Sequence, residues 1–478
     1  MRSVACSKSQ EICGLILSDV IRAAKGVLRH SGGIGSFNGV STDSRKVREG
    51  ALFVCLEGER FDGHDFISQA AAQGAGGVLV RKGWRSKKRS PLAPPSLAVI
   101  EVDDTLTALG DIANLWRRMN SFQIIGLTGS SGKTTTKEMM AGILAERFNV
   151  AKTEGNLNNL IGMPLSLLAA KPSDEVVVLE MGMNRFGEIE RLAQIADPDI
   201  GVITNVHPAH LEGLKTIEGV ARAKGELFES LDEEDLAVFN ADDSLVSGLA
   251  AKCRARKIGF GFSEAAEVTA LNCRISHEGK TTFFISTGEA SAEVTLPVPG
   301  RHNVLNALCA SAVAVAMGVD LAVVKERLEA FRAPVNRLEI LNRPDGTTLI
   351  NDTYNANPGS VRAALSTLGE ISGSRPAIAV LGDMLELGDE TEAAHAGIGK
   401  YAVESGVKYL LLMGEFARIT GEGAIQAGMP KDCVYLAATH EEIVKKLNET
   451  GFRKAVVLVK GSRRMRMEEV VRQLGGKA

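Results

Sequence analysis

Gly126-Leu127-Thr128-Gly129-Ser130-Ser131-Gly132-Lys133-Thr134-Thr135 is the stretch that decides how this chain is read. An apolar run, 122–125, precedes it, and a helix-compatible segment, 135–147, follows. Strand, glycine-rich turn and helix start together aim backbone N–H groups and the positive end of a helix dipole at a phosphate. In such a turn Lys133 reaches the β- and γ-phosphates and the Thr134 hydroxyl sits on Mg2+. The usual spacing wants glycine at 127, where this chain has Leu; its glycines stand at 126, 129 and 132. The flanking strand and helix outweigh that departure. Thr128, Gly129, Ser130, Ser131, Gly132, Lys133 and Thr134 are therefore read as a nucleotide site.

Bulk properties narrow the classes. A chain of 478 residues has room for about three domains, each with its own core. With 45% hydrophobic and 24% charged residues it is composed like an ordinary globular protein. A net charge of −3 and 5% aromatic residues argue against nucleic acid as a partner. The cysteines (Cys6, Cys13, Cys55, Cys253, Cys273, Cys309, Cys433) are scattered and form no C-x-x-C pair, which points to reduced thiols, no zinc site and a cytoplasmic location. Arg2, Lys8, Glu11, Asp19 and Arg22 interrupt any signal-peptide core, and no apolar run approaches the ~20 residues of a membrane span. The expectation is a monomer with no membrane insertion.

Along the chain the pattern is α/β throughout. Residues 12–105 hold short strands (52–56, 77–80), a helix near 65–73 and a basic, proline-containing loop at 82–95 that reads as solvated surface. A helix over 104–119 leads into a second region. There 176–180 and 201–205 are continuous runs rich in β-branched residues, suited to a parallel sheet covered on both faces. A more polar alternating stretch, 268–294, precedes a helix over 303–317, and Arg332-Ala333-Pro334 marks a boundary. A further α/β pattern follows, with strands at 377–381, 409–413 and 455–459 and helices at 359–368, 441–448 and 467–474. Three α/β domains are expected, 1–115, 116–331 and 332–478: a central P-loop-type parallel sheet between an N-terminal domain and a Rossmann-like C-terminal domain.

Several side chains stand where ligands bind in such sheets. Glu180 ends a buried strand, where a carboxylate suits Mg2+, although a strand-end acid facing solvent is the plainer reading. His207 and His210 follow the next strand as a ligand pair, a base or loop polar groups. Lys224 is expected on a helix, where a surface lysine is the ordinary case. Asn351-Asp352-Thr353-Tyr354-Asn355-Ala356-Asn357-Pro358-Gly359-Ser360 packs seven hydrogen-bonding side chains, counting 351–355, 357 and 360, into ten residues. Turns do not need that density, which points to polar ligand contacts.

Taken in order, these residues resemble the Mur ligase family. The resemblance runs through 128–135, Glu180 in Leu-Glu-Met-Gly-Met, Asn205 to His210, Ala-Lys224-Gly-Glu, Gly300-Arg-His-Asn303-Val-Leu-Asn306, Asn336-Arg337-Leu-Glu and Asp352-x-Tyr-Asn-Ala-Asn-Pro. Near the N-terminus it includes Ser41-Thr-Asp-Ser44-Arg45 and Phe61-Asp62-Gly63-His64. Three stretches resemble the branch that adds D-alanyl-D-alanine: Gly155-Asn156-Leu-Asn158-Asn159-Leu-Ile-Gly-Met-Pro164, Tyr354-Asn-Ala-Asn-Pro358 and Leu381-Gly-Asp-Met-Leu-Glu386-Leu-Gly.

The resemblance implies an ATP- and Mg2+-dependent amide ligase working through an acyl phosphate, with a UDP-N-acetylmuramoyl-tripeptide and D-alanyl-D-alanine as substrates. It implies catalytic Lys133, Glu180, His210 and Lys224, with metal on Thr134, Glu180, His210 and a carbamylated Lys224. An unmodified ammonium would repel the metal, by about 4 kcal/mol for unit charges ~4 Å apart at an effective dielectric of ~20. Asn303, Asn306, Arg337 and Asp352 fall on nucleotide contacts. Ser44, Arg45, Asp62, Gly63, His64, Asn156, Asn158, Asn159, Tyr354, Asn355 and Asn357 fall on substrate contacts. Two rivals are another amide ligase of the family, such as a folylpolyglutamate synthetase or an earlier Mur step, and a P-loop protein that binds nucleotide without ligation.

Overall fold

The computed structural model describes residues 14–58, 61–84, 96–449 and 454–475. Cys6, Cys13 and most of the basic 82–95 stretch lie outside them. The architecture is α/β, built on three main sheets and grouped into two compact units. One comprises residues 1–122, 157–175 and 194–197; the other holds the remainder.

In the first unit a five-stranded sheet runs Val27–His30, Ala98–Val102, Gly77–Arg81, Leu52–Val54, Val40–Ser41, antiparallel only at its first pair. Phe53, Cys55, Ile67, Val78 and Leu97 fill its core. The expected helix at 65–73 is split into a 3-10 turn, Gly63–Phe66, and a helix, Ile67–Ala72, because Asp62 caps the turn by accepting from the His64 N–H at 3.0 Å. The helix Thr105–Met119 starts at Asp104, whose carboxylate accepts from the Thr107 N–H at 2.6 Å. Its apolar face buries Leu109, Ile112 and Trp116, and the Trp116 indole donates to the Ala170 carbonyl at 3.0 Å.

The second unit holds a nine-stranded sheet. From one edge its order is Val150–Lys152, Val176–Glu180, Gln123–Thr128, Ile200–Ile203, Leu236–Asn240, Arg256–Gly261, Val268–Ile275, Thr281–Ser286, Ser291–Leu296. All pairs are parallel except the last two. Val176–Glu180 is buried at every position, as its apolar run predicts, whereas the antiparallel extension alternates buried and accessible residues. Helices Lys133–Leu144 and Arg301–Ala316 pack their Met139, Met140, Ile143, Leu308 and Val313 into this core.

A six-stranded sheet follows in the same unit. Its order is Glu339–Asn342, Thr348–Asp352, Val456–Lys460, Ala377–Gly382, Tyr409–Met413, Val434–Ala437, and only the first strand is antiparallel. Among the described residues no helix is long and apolar enough to cross a membrane.

Candidate active site

The turn that opened the sequence reading leaves the sheet at its C-terminal edge. Gln123–Thr128 runs parallel between Val176–Glu180 and Ile200–Ile203, so Thr128, Glu180 and the 204–207 segment emerge side by side, where open α/β sheets bind ligands. Leu127 is fully buried in the core. The strand continues past it to Thr128, which leaves no turn residue at 127 for a glycine to serve. The helix begins at Lys133, two residues before the sequence expectation, because Gly132 takes a left-handed conformation (φ 80°) as its N-cap. A Cβ on Gly129 would collide with the Thr204 hydroxyl, and one on Gly132 with the Asn306 side-chain oxygen. Both glycines are there for close approach.

The next strand's exit clamps the turn. Thr204 Oγ1 donates to the Ser131 carbonyl at 2.7 Å, and the Ser131 N–H donates to Asn205 Oδ1 at 2.9 Å. Ser130 Oγ donates to the His207 carbonyl and accepts from the His207 N–H, each at 2.9 Å. These bonds leave the backbone geometry of the turn set before any ligand arrives.

Charged side chains gather just beyond. Thr134 Oγ1 donates to Glu180 Oε2 at 2.9 Å, and Arg337, just before the strand Glu339–Asn342, donates to the same hydroxyl at 3.0 Å. The Arg337 guanidinium lies 4.0 Å over the Tyr354 ring. Lys133 Nζ donates to the Gly129 carbonyl at 2.6 Å; burial lowers its pKa, with Glu180 opposing and Arg337 adding to the shift. Glu180 is buried, which overturns the plainer reading of a solvent-facing acid.

Lys224 departs furthest from the ordinary expectation. It lies on the helix Ile217–Glu229 and is 2% exposed, so it is no surface lysine. It makes no hydrogen bond or ion pair among the described residues. Burial, then the charge of Lys133, pushes its pKa well below the ordinary lysine value. The same setting lowers His207: burial dominates, Asp243 opposes and Lys224 adds.

His210 takes a left-handed backbone (φ 55°) and sets Nδ1 3.0 Å from Glu386 Oε2. That bond, more than burial opposes it, lowers the Glu386 carboxyl pKa. Asp352 is held in the sheet: its Oδ2 accepts from Lys460 at 2.6 Å and its Oδ1 from the Leu338 N–H at 3.3 Å. Asn303 Nδ2 donates to the Pro299 carbonyl at 2.7 Å and Asn306 Nδ2 to Asn303 Oδ1 at 3.1 Å, placing Asn306 beside Gly132.

The polar stretch 351–360 needs a correction. The strand extends to Asp352, so its first two residues are sheet. Asn351 donates to Asn336 and Glu339 at 2.9 and 3.0 Å, Thr353 donates to Asn351 at 2.8 Å, and Asn355 Oδ1 accepts from the Arg463 N–H at 3.3 Å. Asn357 and Ser360 form a capping box on the helix Pro358–Ser372, and Asn357 also donates to the Ser130 carbonyl at 3.3 Å. Much of that density therefore serves the fold, and Tyr354 serves as the platform for Arg337.

In the first unit, Ser44 donates to Gln69 at 2.8 Å. Exposed Arg45 pairs with Asp43, which its hydrogen bonds hold at about 2. Glu57, Asp62 and His64 bring ligand-type atoms within 4.8 Å of one another. Yet His64 Nδ1 is 2.5 Å from Asp62 and its Nε2 accepts from the Arg81 N–H at 3.0 Å, so neither nitrogen is left for a metal. A Cβ on Gly63 would press on Cys55 and Leu56. Asn159 Oδ1 accepts from the N–H groups of Ile161 and Gly162 at 3.2 and 2.9 Å, a local turn role; Asn158 is half-buried. In the second unit Asn156 is exposed.

Sequence reasoning missed Lys460 and Lys137 altogether, and it noted Glu386 without its partner. The partners of Lys460 and Glu386 lie far off in the chain, and those of Lys137 are the next residue and the nearby loop at Thr153 and Gly155. Only a lysine ending an apolar strand (Val456–Lys460) offered a signal.

The chain is 38% identical over 447 residues to the UDP-N-acetylmuramoyl-tripeptide--D-alanyl-D-alanine ligase of Escherichia coli K12, covering 92% of this chain and 94% of that protein. It belongs to the Mur ligase family. Family models agree piece by piece: the Mur ligase family catalytic domain over residues 36–117, the Mur ligase middle domain over 127–314 and the Mur ligase glutamate ligase domain over 336–463. A MurF crystal structure from Acinetobacter baumannii superimposes with a TM-score of 0.87 at 30% identity, covering 96% of this Mur ligase and 98% of that chain. MurF from Thermotoga maritima, solved in complex with ADP, gives 0.79 at 29% identity, covering 91% and 96%.

Proposed function

We propose that this Mur ligase joins D-alanyl-D-alanine to UDP-N-acetylmuramoyl-tripeptide with ATP, through an acyl phosphate, in peptidoglycan precursor synthesis. The observation that carries the reading is the near-full-length likeness to ligases of that name, joined to a site whose charges suit phosphoryl transfer. The domains are taken as 1–115, 116–331 and 332–478.

A carboxylate resists amines until one oxygen becomes a good leaving group. In the first step a substrate carboxylate oxygen attacks the γ-phosphorus; the P–O bond to ADP breaks as the acyl phosphate forms. The amine nitrogen of D-alanyl-D-alanine then attacks the acyl carbon. The C–N bond forms, the C–O bond to phosphate breaks, and the nitrogen sheds a proton. The protein's part is positioning and neutralising charge.

Lys133 and the 129–134 amides hold the β/γ-phosphates, and Arg337, braced on Tyr354, adds a permanently charged fork. Asn303 and Asn306 flank the adenine. Asp352 keeps accepting capacity for the ribose although Lys460 and Leu338 already engage it, since a carboxylate offers about four lone-pair sites. The donors fit Mg2+: a buried carboxylate oxygen and a hydroxyl 2.9 Å apart are the hard ligands it prefers. Thr134, Glu180, His210 and Lys224 would hold it, and when bound it neutralises phosphate charge. Lys224 suits carbamylation because its lowered pKa leaves the amine lone pair free to add CO2 with loss of a proton, turning a repelled cation into an anion.

The uridine nucleotide is taken by the N-terminal domain through Ser44, Arg45 and the 62–64 turn, and the muramoyl-peptide arm by Asn156, Asn158 and Asn159, with Asn355 and Asn357 near the acceptor. The test is ADP release with UDP-muramoyl-tripeptide, with and without D-alanyl-D-alanine. Release that ignores D-alanyl-D-alanine, or that another amino acid drives better, sinks the reading.

A further inference from the structure

Lys137 takes no part in the chemistry above, yet its side chain is completely buried. It sits one turn beyond Lys133 on the helix that opens at the phosphate turn. A buried ammonium is costly unless each N–H finds an acceptor. Here the acceptors are the Thr153 carbonyl, the Gly155 carbonyl at 3.5 Å and the Glu138 carboxylate at 3.1 Å. Two of the three belong to the loop 153–156, whose Gly155 adopts a left-handed conformation (φ 54°) and whose last residue is the exposed Asn156.

The same loop carries a second tie to the nucleotide site. Thr153 is fully buried, its N–H donates to the Val178 carbonyl at 2.9 Å, and its Oγ1 accepts from the Glu180 N–H at 3.0 Å. Glu180 is the residue whose carboxylate meets Thr134. The loop is thus fastened to the phosphate-binding helix through Lys137 and to the residue facing that helix through Thr153. Its backbone carbonyls, not its side chains, are what Lys137 grips, so the grip sets where the backbone of Asn156 begins.

We infer that Lys137 is a positioning residue that couples nucleotide occupancy to the loop 153–156, so that a filled ATP site presents Asn156 to the muramoyl-peptide substrate. Phosphate binding fixes the N-terminus of the Lys133–Leu144 helix. One turn on, the ammonium carries that order into the loop. The substrate half of this inference rests on the proposed function; the coupling itself does not.

The experiment uses the full-length protein with a non-hydrolysable ATP analogue as probe. In the wild type, backbone hydrogen exchange at 154–156 should slow when the analogue binds. In Lys137→Met, which keeps an unbranched apolar chain but no donors, that nucleotide dependence should vanish. KM for UDP-muramoyl-tripeptide should rise about tenfold or more, the scale of losing charge-assisted hydrogen bonds, while the analogue's Kd moves less than about twofold. Lys137→Arg, which keeps a buried donor cation, should recover part of the KM. Exchange at 154–156 that ignores the analogue in the wild type overturns the inference, whether or not the Met variant folds. So does a Met variant whose KM and Kd worsen in parallel with a lowered Tm, which marks a plain structural staple. If the wild type fails to ligate D-alanyl-D-alanine, the proposed function falls while the exchange result still decides the coupling.

Discussion

Lys224 and Lys460 are both almost sealed from solvent, at 2% and 3% exposure, and they teach opposite lessons. Lys460 ends a strand of the C-terminal sheet and is matched by the Asp352 carboxylate at 2.6 Å and the Asn355 carbonyl at 2.9 Å. Lys224, on a helix of the central domain, has no such partner among the described residues and faces the field of a second lysine. A paired buried cation holds two strands and a loop in place. An unpaired one is a chemical anomaly, tolerable when the amine is neutral or has been converted into something else.

The contrast breaks most sharply at Lys224. Lys224→Arg, which keeps the cation but cannot form the carbamate, should lose activity by about a thousandfold, the scale of removing a key electrostatic stabiliser. Lys224→Met should be equally inactive, yet its denaturation midpoint should hold or rise, because an unmatched polar group has left the interior. Stripping bicarbonate and CO2 should lower wild-type activity, most at low pH where carbamates decompose. Full ligation by Lys224→Arg would end the carbamate reading.

Lys460→Met should behave the other way, costing roughly 3–5 kcal/mol in urea denaturation because Asp352 is left buried without its partner. Adding Asp352→Leu should return much of that loss. A single variant as stable as the wild type would mean that the pair holds nothing together.

Close by, burial lowers the His302 pKa to about 4, outweighing the opposing pull of Asp352. The folded value lies below the unfolded value of about 6.5, so the stabilisation is complete above that pH and is lost as pH falls towards 4. The expected loss over that window is about 2–3 kcal/mol, and His302→Gln should remove it. Identical pH–stability curves for the two proteins would contradict this. Smaller still, Glu180→Gln should raise the Mg2+ needed for half-maximal activity by about tenfold while leaving Tm nearly unchanged, since charge rather than shape is lost. An unmoved Mg2+ curve would remove Glu180 from the metal.

How much of this was legible in the sequence depends on the range of the interaction. The strand, turn and helix start around 123–144 and the buried parallel strands are local patterns, and each is found close to where the sequence puts it. Leu127 looked like a flaw in the turn only because the strand's end could not be placed to the residue. The 351–360 stretch misled in the other direction: capping and strand pairing use polar side chains as ligands do, and composition cannot tell them apart. Lys224 could be named only through the family's motif order, since nothing beside it in sequence says that its helix turns it inward. Lys460 with Asp352, 108 residues apart, and His210 with Glu386 are pairings that no local window contains.

The placement of the aromatic residues has a spectroscopic consequence. Both tryptophans, Trp84 and Trp116, belong to the first compact unit, whereas all four tyrosines, Tyr354, Tyr401, Tyr409 and Tyr435, follow residue 332. Trp116 is buried with its indole N–H anchored on Ala170, so its emission should shift to the red as that anchorage opens. Red-edge excitation therefore reports on one part of the molecule, and tyrosine absorbance on another. A single unlabelled sample, heated once, can reveal whether the tryptophan-bearing unit and the tyrosine-bearing C-terminal part melt together or in turn.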